Sequence, residues 1–156
     1  MLKRIAGLVV LLWPLGCAGA IEDEGGSVSA PGGLGGLRVE NVRVQLVPGG
    51  QHGAVYLDVI NGSEVPDRLR LVESPAVQDI QTHESLAEDG VVRMLARPDG
   101  FEIPAGAKLE LKEGGKHIML LGIADLPAAG GKLLLRLHFD RAGILEVEAP
   151  VQTFGE

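Results

Sequence analysis

Thiols are almost absent from this chain. Cys17 is the only cysteine in 156 residues, so no internal disulfide can form and everything beyond residue 17 lacks sulfhydryl chemistry. A blue-copper electron-transfer centre, which needs a cysteine thiolate, is excluded. Any metal held by the folded part must rely on His, Met or carboxylate. Such cysteine usage suits an oxidising periplasm or cell surface. Aromatic residues are also scarce, at 3%, with one Trp, one Tyr and three Phe. An antibody-type domain with its disulfide and buried Trp cannot be built, and the core must come from Leu, Val and Ile. Lys and Arg number 14 against 21 acidic residues, for a formal charge of −7. That balance excludes nucleic acid as a partner, because its binding draws on clustered basic side chains. No Ser-His-Asp set, glycine-rich phosphate loop or HExxH helix is visible, so nothing points to an enzyme. The length allows one domain with a modest core.

What is present begins with MLKRIAGLVVLLWPLGCAGA. Lys3 and Arg4, an apolar run from Ile5 to Leu15 and the small residues after it follow the plan of a secretory signal peptide over residues 1–20. The run is too short to span a bilayer comfortably. Two cleavage readings stay open. Ala18-Gly19-Ala20 fits a small-x-small site before Ile21, whereas Gly16-Cys17 is similar to the end of a bacterial lipobox, with Cys17 as the lipidated first residue and Pro14 where that box usually has Leu. Losing Lys3 and Arg4 with residues 1–20 takes the formal charge from −7 to −9. Residues 21–36, IEDEGGSVSAPGGLGG, have no apolar period and read as a flexible leader or tether. The expected location is the periplasm or the outer face of the cytoplasmic membrane, with membrane contact only through a lipid on Cys17.

From Leu37 the texture changes to short runs of Val, Ile and Leu separated by Gly, Pro, Asn and Asp, and no segment sustains a helical period. Strands are predicted at Leu37–Val47, Ala54–Ile60, Arg68–Glu73, Val77–His83, Val91–Ala96, Lys108–Lys112, His117–Gly122, Lys132–Phe139 and Gly143–Ala149. Asp89-Gly90 is a hairpin signal between two of them. This pattern predicts an all-β, single-domain antiparallel sandwich over residues 37–152, immunoglobulin-like or cupredoxin-like. A monomer is expected.

After the initiator only two methionines remain, and both lie in a window that also holds two of the four histidines. Ten residues separate His83 from Met94, twenty-two separate Met94 from His117, and one separates His117 from Met119. Imidazole and thioether form a soft, uncharged ligand set that suits Cu(I) better than zinc, calcium or magnesium. Strand alternation projects His117 and Met119 to one face while Ile118 and Leu120 turn to the other. It likewise groups Met94 with Val92 and Ala96 against Arg93, and His83 closes the strand before the hairpin.

Each residue also has a plainer reading. A Met among Val, Leu and Ala ordinarily fills a core, and a His at a strand end is ordinarily solvated. His52, in the loop PGGQHG, and His138, on a strand face with Leu134 and Arg136, read as surface residues outside the site. Glu84, Glu88 and Asp89 would offer a harder, zinc-type site beside His83. Two function classes follow: a copper carrier, or a metal-free β-sandwich acting as an envelope or surface interaction module, with both methionines buried.

At these residues the sequence resembles the periplasmic copper(I) chaperone family of the PCuAC type, which supplies copper to the CuA centre of cytochrome c oxidase. The family's signature is a His, ten residues, a Met, about twenty-one residues, then His-x-Met, and His83, Met94, His117 and Met119 fill it. The phrases AVYLDVIN, EDGVVRM, FEIPAGAKLELKEGGKHIMLLGI and LHFDRAGILEVEAPV extend the likeness over about residues 38–151. The resemblance implies a cupredoxin-like sandwich and an exported Cu(I) metallochaperone carrying one ion. The implied partners are donor or acceptor copper proteins, such as a cytochrome c oxidase subunit. Three departures stand out. The second gap is one residue longer, in the loop LARPDG. Ala87 and Leu121 stand where relatives often have methionine, and Lys116 where an aromatic often precedes the second His. The sequence ends at Glu156 without the His- and Met-rich tail that some relatives use as a second copper site.

Overall fold

The computed structural model describes residues 34–47, 49–124 and 130–153. Residues 1–20, expected to be a signal peptide, and 21–33 of the expected leader lie outside the described residues. The ten strands are β1 (Leu37–Leu46), β2 (His52–Asn61), β3 (Asp67–Glu73), β4 (Val77–Glu88), β5 (Val91–Ala96), β6 (Phe101–Ile103), β7 (Lys108–Leu111), β8 (Lys116–Ile123), β9 (Lys132–Phe139) and β10 (Gly143–Thr153). No helix occurs among the described residues. The hydrogen-bonded path runs β5-β4-β8-β2-β1-β10-β9-β3-β6, with β7 paired to β2 beside β8. It folds into two layers, one built from β1, β2, β4, β5, β7 and β8 and the other from β3, β6, β9 and β10, an all-β sandwich of the cupredoxin and immunoglobulin type.

Alternation explains the layers. In β9, Leu133, Leu135, Leu137 and Phe139 are buried while Lys132 and Arg136 face water, and burial of each such leucine is worth roughly 1.5–3 kcal/mol. Val55, Leu57, Val59, Ile118 and Leu120 meet this face from the other layer. As the composition demands, Leu, Val and Ile dominate the core, joined by Phe101 and Phe139. Asn61 is buried at the end of β2, and its amide donates to the carbonyls of Val65, Ile103 and Pro104, tying the loop after β2 to the end of β6.

Several boundaries differ from the sequence expectation. β6 is an additional strand, too short beside Pro104 to show a period. One ladder is parallel, Val44–Leu46 of β1 with Val151–Thr153 of β10, because the two strands that join the layers run in the same direction. The leader's last residues, Leu34–Gly36, make a turn onto the domain: Leu34 bridges Leu37, and Gly36 accepts from Gly62. Most consequential for the site, β4 does not close at His83 but continues to Glu88. It turns through Asp89 (φ 51°) and Gly90 (φ 77°) into β5, the left-handed pair that a two-residue hairpin requires. β8 begins only at Lys116, opposite Glu84, so the far half of this hairpin overhangs the sandwich, and all six residues of β5 are exposed.

Candidate metal centre

Strand pairing brings the four sequence-selected residues to one place. On β4 and β8, His83 is the register partner of His117 and Gln81 that of Met119. On the hairpin, Ser85 is the partner of Met94 and His83 that of Ala96. Opposed residues share a face of the sheet, so His83, Met94, His117 and Met119 all stand on the outer face of their layer. Their neighbours Ile118 and Leu120 are fully buried beneath. Neither methionine is core filler, for Met94 is 54% exposed and Met119 is half-buried. A metal-free domain with both methionines buried loses its premise.

The contacts are specific. Nδ1 of His83 lies 3.2 Å from Sδ of Met94, a separation that two donors to one first-row metal ion can share, since metal–nitrogen and metal–sulfur bonds are about 2.0 and 2.3 Å. The rings of His83 and His117 meet edge to face with centroids 5.8 Å apart. His117 is only 7% exposed, and its Nδ1 lies 2.9 Å from the carbonyl of Gly115. A carbonyl can only accept, so Nδ1 carries a proton, and in the neutral tautomer that this selects, Nε2 is the nitrogen with the lone pair. This is the backbone support usual behind a metal-binding imidazole. Burial pushes the His83 imidazole below its ordinary range, and the neighbouring His117 ring lowers it further. Both effects favour the neutral, ligand-competent form.

His117, Met94 and Met119 line an open cavity of about 230 Å³, walled on its far side by Gln45, His52 and Tyr56. His83 touches Met94 from outside it. His52 was expected to lie in a loop away from the site. It instead opens β2, opposite Leu121 and two residues from Ala54, the partner of Met119, and so stands exposed at the cavity's rim. The glycines around it had disguised a strand start. His138 is remote, on the outer face of the other layer, 2.9 Å from Glu73. The harder carboxylate site does not assemble: Glu84 points to the opposite face from His83 and is bound by Arg97 at 2.6 Å. Among the described residues no group of three or more His, Cys, Asp or Glu converges. Four larger clefts, of about 370, 380, 300 and 260 Å³, are lined by neither His nor Met. Sequence reasoning also missed Gln81, which no spacing motif marks and which contacts His83 at 3.1 Å.

The structure is similar to the copper-bound PCuAC domain of PmoF2, with a TM-score of 0.67 and 23% identity over 78% of this chain and 96% of that one. It is also similar to apo-DR1885 of Deinococcus radiodurans, with a TM-score of 0.60 and 23% identity over 98% and 99% of the two chains. The Cu(I) form of DR1885 gives a TM-score of 0.57 and 24% identity over 74% and 77%. In sequence, the chain is 31% identical over 155 residues to "Putative lipoprotein Lxx21020" of Leifsonia xyli subsp. xyli, covering 99% of this chain and 91% of the relative. Residues 37–151, nearly all of the sandwich, match the family described as "Putative lipoprotein LpqE-like". On the fold of the PCuAC domains, therefore, this chain belongs to the LpqE-like family.

Proposed function

We propose that the protein is an exported Cu(I) carrier that holds one ion through His83, Met94, His117 and Met119 and passes it on by ligand exchange. The carrying observation is the 3.2 Å approach of His83 Nδ1 to Met94 Sδ beside the edge-to-face His117. Two neutral soft donors thus meet with no carboxylate between them, an arrangement suited to a monovalent soft ion. The copper-bound states of two proteins of the same fold support the reading. The description of the family as lipoproteins supports export and a lipid on Cys17.

Exposure orders the donors. His117 is buried and fixed by a backbone carbonyl, so it anchors the ion, while Met94, on the overhanging hairpin, is the donor that an incoming ligand can displace first. Transfer then runs toward an acceptor with anionic thiolates, which bind Cu(I) more strongly than thioethers; the CuA site of cytochrome c oxidase is such an acceptor. The exposed side chains of Val91, Val92 and Leu95 favour a second reading, a metal-free interaction module. Anaerobic titration with Cu(I), followed by mass spectrometry of the folded protein and competition with a moderate chelator, separates the two. One equivalent retained, and lost in both Met94→Ala and Met119→Ala, is the carrier's result. Unchanged retention in both variants would sink it.

A further inference from the structure

The tautomer of His83 is set by a chain of side chains that no copper-binding motif includes. Gln81 and Asp79 follow the same alternation as His83 along β4, so all three share the outer face. Nε2 of Gln81 lies 2.6 Å from Oδ2 of Asp79. A carboxylate accepts, so the amide must direct its NH₂ toward Asp79 and its oxygen the other way. That oxygen, Oε1, lies 3.1 Å from Nε2 of His83, while the other ring nitrogen, Nδ1, lies 3.2 Å from the sulfur of Met94. A neutral imidazole has one N–H for two contacts. An amide oxygen is a far better acceptor than a thioether sulfur, so the proton resides on Nε2. Nδ1 and Sδ are then two lone-pair donors facing each other with no hydrogen between them, which is the arrangement a cation would satisfy.

We propose that Gln81, itself oriented by Asp79, is a positioning residue that holds His83 in the Nε2–H form and thereby presents Nδ1 to copper. The inference rests on the copper reading above. The site then takes its two imidazoles by different nitrogens, Nδ1 from His83 and Nε2 from His117, each fixed from behind by an oxygen acceptor. For His117 that acceptor is a backbone carbonyl and cannot be removed by mutation. For His83 it is an exposed side chain, so the second position is the one that substitution can loosen. Asp79 makes its side-chain hydrogen bond to Gln81 and touches neither His83 nor Met94, which makes it a remote handle on the same device.

The test has a readout that needs no metal. In long-range proton–nitrogen NMR spectra of the ¹⁵N-labelled apo-protein, at a pH where the ring is neutral, His83 is expected as the Nε2–H tautomer. Gln81→Leu is expected to shift it toward Nδ1–H, and Asp79→Ala to do so in part. Chelator competition should then show Cu(I) held about tenfold more weakly by Gln81→Leu, the low end of the effect of losing such an outer partner. A wild-type His83 protonated on Nδ1, an unchanged tautomer in Gln81→Leu, or unchanged copper affinity despite a changed tautomer each overturns the positioning role. Failure of the underlying reading looks different, since the wild-type protein itself would then take up no Cu(I), and the proposal would fall with it. Circular dichroism and thermal melts of both variants, expected to match wild type because both residues are exposed, exclude a folding defect as the cause.

Discussion

His83 and His117 stand directly opposite one another on β4 and β8, their rings 5.8 Å apart at 89°. Two histidines separated by more than thirty residues of sequence are thus set by one ladder of backbone hydrogen bonds, and their separation is as rigid as the sheet. Donors that share one ion must be energetically coupled. Replacing either histidine with alanine is therefore expected to weaken Cu(I) retention, and the double variant to lose clearly less than the sum of the two single losses. Additive losses, measured by chelator competition, would mean that the two rings serve separate sites.

The hairpin that carries Met94 depends on its turn. Gly90 has φ 77° with nothing within 4 Å of where a Cβ would stand, so Gly90→Ala meets only backbone strain, on the order of 1 kcal/mol. That cost falls on the overhanging hairpin rather than on the core. Amide exchange is expected to quicken across Ser85–Leu95 while the thermal midpoint barely moves, and Cu(I) retention to fall as Met94 loses its fixed place. Exchange that quickens evenly over the whole sandwich would contradict a locally independent hairpin.

Gly100 is the opposite case. Its φ of 71° is similar, but a Cβ there would collide with the carbonyl oxygen of Leu69 in the neighbouring strand, and backbone cannot step aside as a flexible side chain can. Strain and overpacking together put Gly100→Ala at about 2–4 kcal/mol of global stability. Denaturant melts of the two glycine variants should differ accordingly. Equal midpoints for Gly90→Ala and Gly100→Ala would show that the close approach to Leu69 is not there in solution.

Much of this arrangement was legible in the sequence, because it follows from local rules. Alternation alone placed His117 with Met119 and against Ile118, and Asp89-Gly90 named its own hairpin. What was not legible is non-local or locally disguised. Nothing in the sequence says that β4 lies beside β8, the pairing on which the meeting of His83 with His117 depends. Strand β4 read as ending at His83 because Glu84–Glu88 contains no β-branched residue, although pairing with β5 holds it extended. His52 hid among glycines, and the parallel pairing of β1 with β10 joins opposite ends of the domain without any local signal. Gln81 carries no motif, since its role is set only by which atoms of Asp79 and His83 flank it.

The two methionines should differ as reagents see them, and copper should make them alike. In the apo-protein Met94 stands 54% exposed on the hairpin, while Met119 is half-buried between Gln81 on β4 and Ala54 on β2. A thioether-alkylating reagent under anaerobic conditions is therefore expected to modify Met94 several-fold faster, with sites and rates read by peptide mass spectrometry. One equivalent of Cu(I) occupies the sulfur lone pair that the reagent needs, so both rates should collapse together and at the same metal ratio. Protection of Met94 alone would remove Met119 from the ligand set and leave a three-donor site. Protection of neither would leave the exposed hairpin as a surface for contact with another protein rather than a clasp for an ion.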